Sequence, residues 1–347
     1  MVMKALVLEE YNKLVYTDVP TPKIEAPDEV LVKVKAVSAC GSDVHGMDGS
    51  TGRRIPPIIM GHEGSGVVAE VGPLVKSFKK GDRIVFNSTL FCGKCDFCLH
   101  GQINLCDTRK VFGVSCEEYK LDGAFAEYIV VPERILYPIP DTLSHEEAAL
   151  VEPFSVGFHA VRVAELGLSD TVVVIGAGTI GSFILQSLRL KGAGTIIASD
   201  IDGDKLQLAR KLGADVTINT KEEDLSEAVK RIAPAGVDIV FDVVGKAQTA
   251  RTGLQLLKKN GKLVMVGLYD QEISFPIQRI TTWQIKVLGT YISSDEYPAC
   301  IRFLASRRID VSPFTKHVVP LSQGVEWFNR LRQGERGVYK VIFHPEE

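Results

Sequence analysis

Four cysteines crowd into one stretch, "FCGKCDFCLHGQINLC" (91–106), of a chain that holds seven. Cys92, Cys95, Cys98 and Cys106 follow the spacing C-x2-C-x2-C-x7-C. Two-residue gaps let successive thiolates curl around one point, and the longer gap lets a turn return with the fourth. Four thiolates fill a tetrahedral zinc and leave no open position, which makes such a metal structural. Its binding energy is folding energy for a loop with little core of its own. An iron–sulfur cluster is the alternative metal, and unligated thiols are the bland alternative. Four cysteines at these gaps favour zinc. Cys116 and Cys300 lie outside the pattern and read as ordinary buried or unassigned thiols.

A second chemical signal is "VVVIGAGTIG" (172–181), where Gly176, Gly178 and Gly181 form G-x-G-x-x-G. The motif follows a strand-like run and opens a helical one, and Asp200 lies nineteen residues beyond its last glycine. In that context it is the dinucleotide fingerprint. The first glycine allows the tight turn, the second the approach of a pyrophosphate, and the third close helix–strand packing. The phosphates sit on the helix N-terminus. Asp200 is placed to accept hydrogen bonds from the adenosine ribose and would repel a 2′-phosphate, so NAD is favoured over NADP. Lys205 and Arg210 come too late in the following helix to contradict this. A turn that binds nothing and an FAD site are the competing readings; flavin enzymes usually carry the motif near the N-terminus, whereas here it begins at Gly176.

"SACGSDVH" (38–45) and "MGHEGSG" (60–66) offer a third constellation. Cys40, His62 and an acid could form a zinc site of three protein ligands with the fourth position open to water or substrate, the mark of a catalytic metal. From spacing alone, a lone buried cysteine and a satisfied histidine are the commoner outcome.

The elements that must position these groups change style along the chain. Through about residue 150, short apolar runs are punctuated by Gly and Pro. "EVLVKVKAVS" (29–38) alternates strictly, with Val30, Val32 and Val34 on one face, and "GSGVVAEVG", "DRIVFN" and "FAEYIVVP" follow in kind. Many short strands at close spacing predict a β-rich, barrel-like domain. From about 165, continuous apolar strands ("TVVVIG", "TIIASD", "DIVFDVVG", "KLVMVG") alternate with helical patterns such as "TIGSFILQSLRLKG", "GDKLQLARKLG" and "TARTGLQLLKKNG". That alternation predicts a parallel sheet wrapped by helices. A strand-like "VYKVIF" (338–343) closes the chain.

A length of 347 residues suits two domains. A formal charge of -3 gives no basic footprint for nucleic acid or an anionic membrane. There is no apolar run of about 18 residues to span a bilayer. "MVMKALVLEEYNK" lacks the apolar core and cleavage site of a signal peptide, which gives the expectation of a cytoplasmic protein. In that compartment, clustered cysteines more often bind metal than form disulfides.

"CGSDVH", "GHEGSG", the four-cysteine loop, "VEPFSVGFHA" and "GAGTIG" stand in the order seen in zinc-dependent medium-chain alcohol dehydrogenases. Over essentially the whole chain the sequence resembles their sorbitol dehydrogenase branch, which includes related polyol, threonine and butanediol dehydrogenases. The resemblance implies an α/β architecture. A GroES-like β-barrel catalytic domain takes 1–155 with 292–347 returning to it, and a doubly wound Rossmann domain takes 156–291. Brändén's rule then puts the substrate in the cleft between them. It implies two zinc ions per chain, NAD, a small alcohol substrate and a homodimer or homotetramer.

By the same resemblance, Cys40 and His62 are catalytic zinc ligands and the third is Glu63 or Glu152. His62 and Glu63 are chain neighbours, so they share a metal only where the chain turns, which Gly61 and Gly64 make feasible. Ser42 would hydrogen-bond the substrate oxygen and His45 would relay its proton to solvent, after zinc has lowered the pKa of the hydroxyl and hydride has passed to the nicotinamide. The cofactor would meet Gly176, Gly178, Ile180, Gly181, Asp200, Lys205, Val266, Gly267 and Leu268, with "GTYI" (289–292) near the substrate. The sequence also departs from the branch. Gly46 stands where an aromatic is typical, and Ile292 and Ser293 stand where an Arg–Tyr pair is. These losses weigh against sorbitol itself and leave a shorter diol, another sugar alcohol, a sugar acid or a phosphorylated polyol open. Arg53, Arg54 and Lys110 fall in candidate mouth loops and read as solubilising charges that could also meet a phosphate or carboxylate. The rival functions are a zinc-free enone or quinone reductase preferring NADPH, a non-enzymatic NAD binder, and a flavoprotein.

Overall fold

The strand Glu29–Ser38 carries the alternation of its sequence into space: Val30, Val32 and Val34 are fully buried. In the computed structural model, which describes residues 1–346, this strand lies inside a seven-stranded sheet. Glu63–Val71 pairs with it antiparallel, followed outward by Arg83–Phe86 and Leu136–Pro138. Tyr128–Pro132 and the late strand Ile342–His344 also pair with it, and Val318–Pro320 runs parallel to the latter. A smaller sheet joins Lys13–Pro20, Val2–Glu10 and Ile58–Ile59. The shared core stacks Phe328 on Phe343 and sets Phe125 edge-on to both, at centroid separations of 5.5 and 5.6 Å. Those rings fasten the returning tail to the N-terminal strands, so residues before 153 and after 293 form one unit.

The other unit, Pro153–Ser293, is built on six parallel strands. Their order is Val216–Asn219, Thr195–Asp200, Thr171–Ile175, Val237–Asp242, Leu257–Met265 and Lys286–Gly289, which is 3-2-1-4-5-6 in chain order. The continuous apolar run 172–175 is explained by burial on both faces. Val172 and Val174 join one hydrophobic cluster, and Val173 and Ile175 join the other. Helices such as Thr179–Lys191 and Gly203–Lys211 link the strands.

Three details differ from expectation. The helical pattern 249–261 gives a helix only over Ala247–Leu256, because Leu257 already pairs with Val237 in the sheet. The run 338–343 yields a strand only over Ile342–His344; its first half leaves the ladder, and Lys340 is buried there. Val216–Asn219 and the amphipathic helix Leu225–Ile232 fall outside the expected elements; Asp224 caps that helix by accepting from the Glu227 N–H. No helix of the described residues is long and apolar enough to cross a membrane.

Candidate active site

The four-cysteine loop brings its sulfurs together: the ligand atoms of Cys92, Cys95, Cys98 and Cys106 lie within 4.8 Å of one another. Cys95 and Cys98 sulfurs are 3.5 Å apart, and those of Cys92 and Cys98 4.0 Å. Disulfide sulfurs would sit at about 2 Å. Sulfurs bound at about 2.3 Å to one tetrahedral ion are separated by about 3.8 Å. The loop therefore fits a single metal ion. Backbone N–H groups of Lys94 and Cys95 donate to Cys92 Sγ and lower its thiol to about 6, whereas burial pushes Cys98 up to about 12. Positive φ at Gly93 and Gly101 supplies the tight turns.

The second cluster is assembled from separate strands and loops. Cys40 precedes the short helix Gly41–Gly46; His62 ends a loop, and Glu63 begins the strand Glu63–Val71. Gly61 has φ +92° and backs onto the Phe125 ring, where a Cβ would come within 2.8 Å. That turn lets consecutive residues serve one point. One ligand atom from each of Cys40, His62 and Glu63 lies within 4.8 Å of the others. His62 Nδ1 stands 3.5 Å from Asp43 Oδ1, an ion-pair separation rather than an aligned hydrogen bond. Burial alone would lower the His62 pKa, yet the charge of Asp43, with Cys40 alongside, holds it well above its usual range. A sulfur, a nitrogen and an oxygen in anionic surroundings suit a zinc ion with three protein ligands.

The carboxylates are sorted by their partners. Glu63 Oε2 takes both Ser38 Oγ and the buried Lys340 ammonium, the latter at 2.5 Å. Its other oxygen, Oε1, is buried with no hydrogen-bond partner among the described residues. Glu152 lies outside the three-residue group. Ser88 Oγ donates to it at 2.9 Å, and its carboxyl is pushed up to about 7 by burial, opposed by His62 and reinforced by Glu63. Ser42 is half-buried and His45 exposed on the helix that Cys40 precedes.

Arg54 corrects the reading of it as an exposed mouth charge. It is buried and bonded to Asp43 at 2.9 Å, since an acid buried on the neighbouring helix demands a counter-charge. Arg53 is half-buried and Lys110 exposed. Neither Asp43, Arg54, Ser38 nor Lys340 was legible as a site residue from spacing. Lys340 did leave one trace: in "VYKVIF" it shares parity with Val338 and Ile342, a charge in an apolar phase.

At the glycine turn, each glycine has its own reason. Gly176 holds φ +100°, and a Cβ on Gly181 would sit 2.0 Å from the Gly176 carbonyl oxygen. A Cβ on Gly178 would meet no protein atom within 4 Å, so its smallness serves something other than packing. Asp200 Oδ2 accepts from the Ala177 N–H at 2.8 Å, and Oδ1 accepts from Ile201 and Asp202. Ile180 and Lys205 are half-buried; Arg210 is turned to Thr217. Val266 and Gly267 are half-buried, and Leu268 is exposed, beyond the strand end at Met265. Ile292 holds φ +51°, a left-handed conformation rare for a β-branched residue.

A 3-2-1-4-5-6 parallel sheet with this turn, in a chain whose β-rich unit bears two groups able to hold a metal ion, has the architecture of a metal-dependent dehydrogenase. Comparison narrows it. Residues 26–141 match the alcohol dehydrogenase GroES-like domain, and residues 179–306 match the zinc-binding dehydrogenase family. Sorbitol dehydrogenase of Bacillus subtilis (strain 168) is 37% identical over 352 aligned positions, covering 99% of this chain and 97% of its own. L-idonate 5-dehydrogenase of Vitis vinifera is 36% identical, covering 92% and 88%. Among solved structures, a zinc-binding dehydrogenase from Sinorhizobium meliloti 1021 bound to NADP superposes with a TM-score of 0.90 at 30% identity, covering 99% and 100%. The chain belongs to the zinc-dependent medium-chain alcohol dehydrogenase family, in its sorbitol dehydrogenase-like branch, and is an oxidoreductase of that family.

Proposed function

We propose that the protein oxidises a secondary alcohol of the polyol, sugar-alcohol or diol class to a ketone, with NAD as hydride acceptor and two zinc ions per chain. The observation that carries the reading is the Cys40–His62–Glu63 cluster, with a thiol, an imidazole and a buried carboxylate at one point, and with one oxygen of that carboxylate unpartnered among the described residues. Cys40, His62 and Glu63 Oε1 would hold the catalytic zinc, and Cys92, Cys95, Cys98 and Cys106 the structural one. When bound, the catalytic zinc supplies Lewis acidity that lowers the pKa of an alcohol, and the dinucleotide takes the hydride.

The chain's own residues do the rest. Lys340 and Ser38 fix one oxygen of Glu63 and leave the other without a hydrogen-bond partner among the described residues. Glu152, poised near neutrality, can exchange a proton with water or substrate. Ser42 would hold the substrate oxygen, and exposed His45 would pass its proton to solvent. Gly178 leaves room for the pyrophosphate, with Gly176 and Gly181 shaping the turn. Ile180, Lys205, Val266, Gly267 and Leu268 would border the cofactor.

Asp200 supports NAD rather than NADP. Three backbone N–H groups fix its carboxylate at the strand end, and Asp202 stands close by, so a 2′-phosphate would face negative charge. The NADP-bound relative makes the cofactor the first thing to test. Polyols, diols, sugar acids and their phosphates are offered with NAD and with NADP, and reduced cofactor is followed by absorbance. Faster turnover with NADP on every substrate would overturn the NAD assignment, and silence across the panel would overturn the activity. Gly46, Ile292 and Ser293 direct attention to substrates other than sorbitol, among them the sugar acids that the L-idonate relative's name suggests. A cytoplasmic homodimer or homotetramer without nucleic-acid or membrane partners completes the proposal.

A further inference from the structure

Among the described residues, no other arginine is as fully buried as Arg54, at 3% exposure. Its Nη2 stands 2.9 Å from Asp43 Oδ1 and 3.5 Å from Ser42 Oγ, and its Nη1 donates to the Arg53 carbonyl at 2.9 Å. Asp43 is fully buried and turns both oxygens to the metal-ligand cluster. Oδ2 accepts from the Cys40 N–H at 3.2 Å, and Oδ1 lies 3.5 Å from His62 Nδ1. One guanidinium thus grips a carboxylate that meets two of the three cluster residues, and it also reaches the hydroxyl of Ser42.

The surrounding chain is shaped for this side chain. A Cβ on Gly46 would lie 2.5 Å from Arg54 Cγ, so glycine makes room for the arginine stem. The backbone around Arg54 is pinned to Ser115: its N–H donates to the Arg53 carbonyl, and its carbonyl accepts from Ile55. Arginine suits the task because its planar fork donates in several directions at once, which an ammonium does not. With Asp43 cancelling its charge, it is not an anion receptor.

We propose that Arg54 is a positioning residue of the catalytic metal centre: through Asp43 it orients the His62 ring and the Cys40 backbone, and directly it orients Ser42. The proposal rests on the reading of Cys40, His62 and Glu63 as a metal site and adds a residue to it.

The test uses the full chain. Zinc affinity is measured by competition with a chromogenic chelator, and cobalt-substituted protein supplies a spectrum of the site's geometry. Arg54→Met is expected to weaken metal binding at the cluster by about 10–100-fold, the usual loss when a group orienting a ligand is removed. The cobalt spectrum should shift while the four-cysteine metal is retained. Asp43→Asn should act in the same direction, and the double variant should be no worse than the weaker single, because the two act as one unit. Arg54→Lys should recover part of the affinity. Wild-type affinity and spectrum in Arg54→Met, or losses that add in the double variant, would overturn the proposal. Should Arg54→Met fail to fold with Asp43 left unpaired, Gly46→Ala carries the test, since its methyl displaces the arginine stem; an unchanged spectrum there also overturns it. Cys40→Ser separates the two ideas. If it costs no metal, the metal-site reading itself fails. If it costs one ion while Arg54→Met costs no affinity, only the role of Arg54 fails.

Discussion

The two metal-ligand clusters solve the same problem in opposite ways. The four-cysteine loop draws every ligand from residues 92–106, carries its turns on Gly93 and Gly101, and has three of its four cysteines only half-buried. The Cys40–His62–Glu63 cluster draws on two separate segments, and its buried charges are balanced by Lys340 from the far end of the chain and by the Asp43–Arg54 pair. On the proposed function the first would be held by its metal; the second is held by the fold. A local site needs little from the rest of the protein, whereas one assembled from distant segments needs a tuned surround, and only tertiary structure provides it.

Perturbing the local site should produce the largest effect. Cys98→Ser is expected to lose one zinc per chain and open 91–106 to proteolysis, because four-cysteine metals contribute about 10 kcal/mol to the segments they fold; limited digestion and metal analysis would show it. A loop that stays resistant without its metal would break the contrast. Next comes Cys40→Ser, expected to reduce turnover by about 10³-fold or more, about 4 kcal/mol, while NADH still binds by fluorescence titration. Its melting temperature should change far less than that of Cys98→Ser.

Lys340→Met sharpens the contrast from the other side. It leaves Glu63 buried without its ammonium, at a cost of about 3 kcal/mol in chemical denaturation, which Glu63→Gln in the same chain should partly restore. The smallest effect belongs to a histidine outside both centres. The single Ser65 hydroxyl proton goes to the Ile84 carbonyl, so His145 Nδ1–H donates to Ser65 Oγ. Burial, with Arg83 beside it, lowers His145 to about 4. A histidine depressed in the folded state contributes stability above about pH 6.5 and loses it as pH falls through about 4. His145→Asn should therefore flatten the acid limb of a melting-temperature profile and leave neutral pH nearly unchanged; an equally steep limb would refute the assignment.

Much of this architecture was legible beforehand because it is periodic or local. Val30, Val32 and Val34 alternate, so one face had to be core; 172–175 is apolar throughout, so both faces had to be. At the glycine turn, the tight turn at Gly176 and the close packing at Gly181 were readable. Glu63 and Glu152 could not be ranked, since their pairings with Lys340, Ser38 and Ser88 leave no trace in local spacing. Arg54 looked like a solvated charge because nothing local to "TGRRIPP" reports the buried acid at Asp43.

The sequence by itself determined the elements, the four-cysteine loop and the dinucleotide turn, for these depend on spacings of a few residues that backbone geometry converts directly into shape. Tertiary structure alone decided which charges are buried together, which carboxylate oxygen is left free, and why Gly46 is a glycine. Pairing between residues as far apart as Glu63 and Lys340 obeys no spacing rule; the chain's return to the sheet, driven by the Phe125, Phe328 and Phe343 core, brings them within reach.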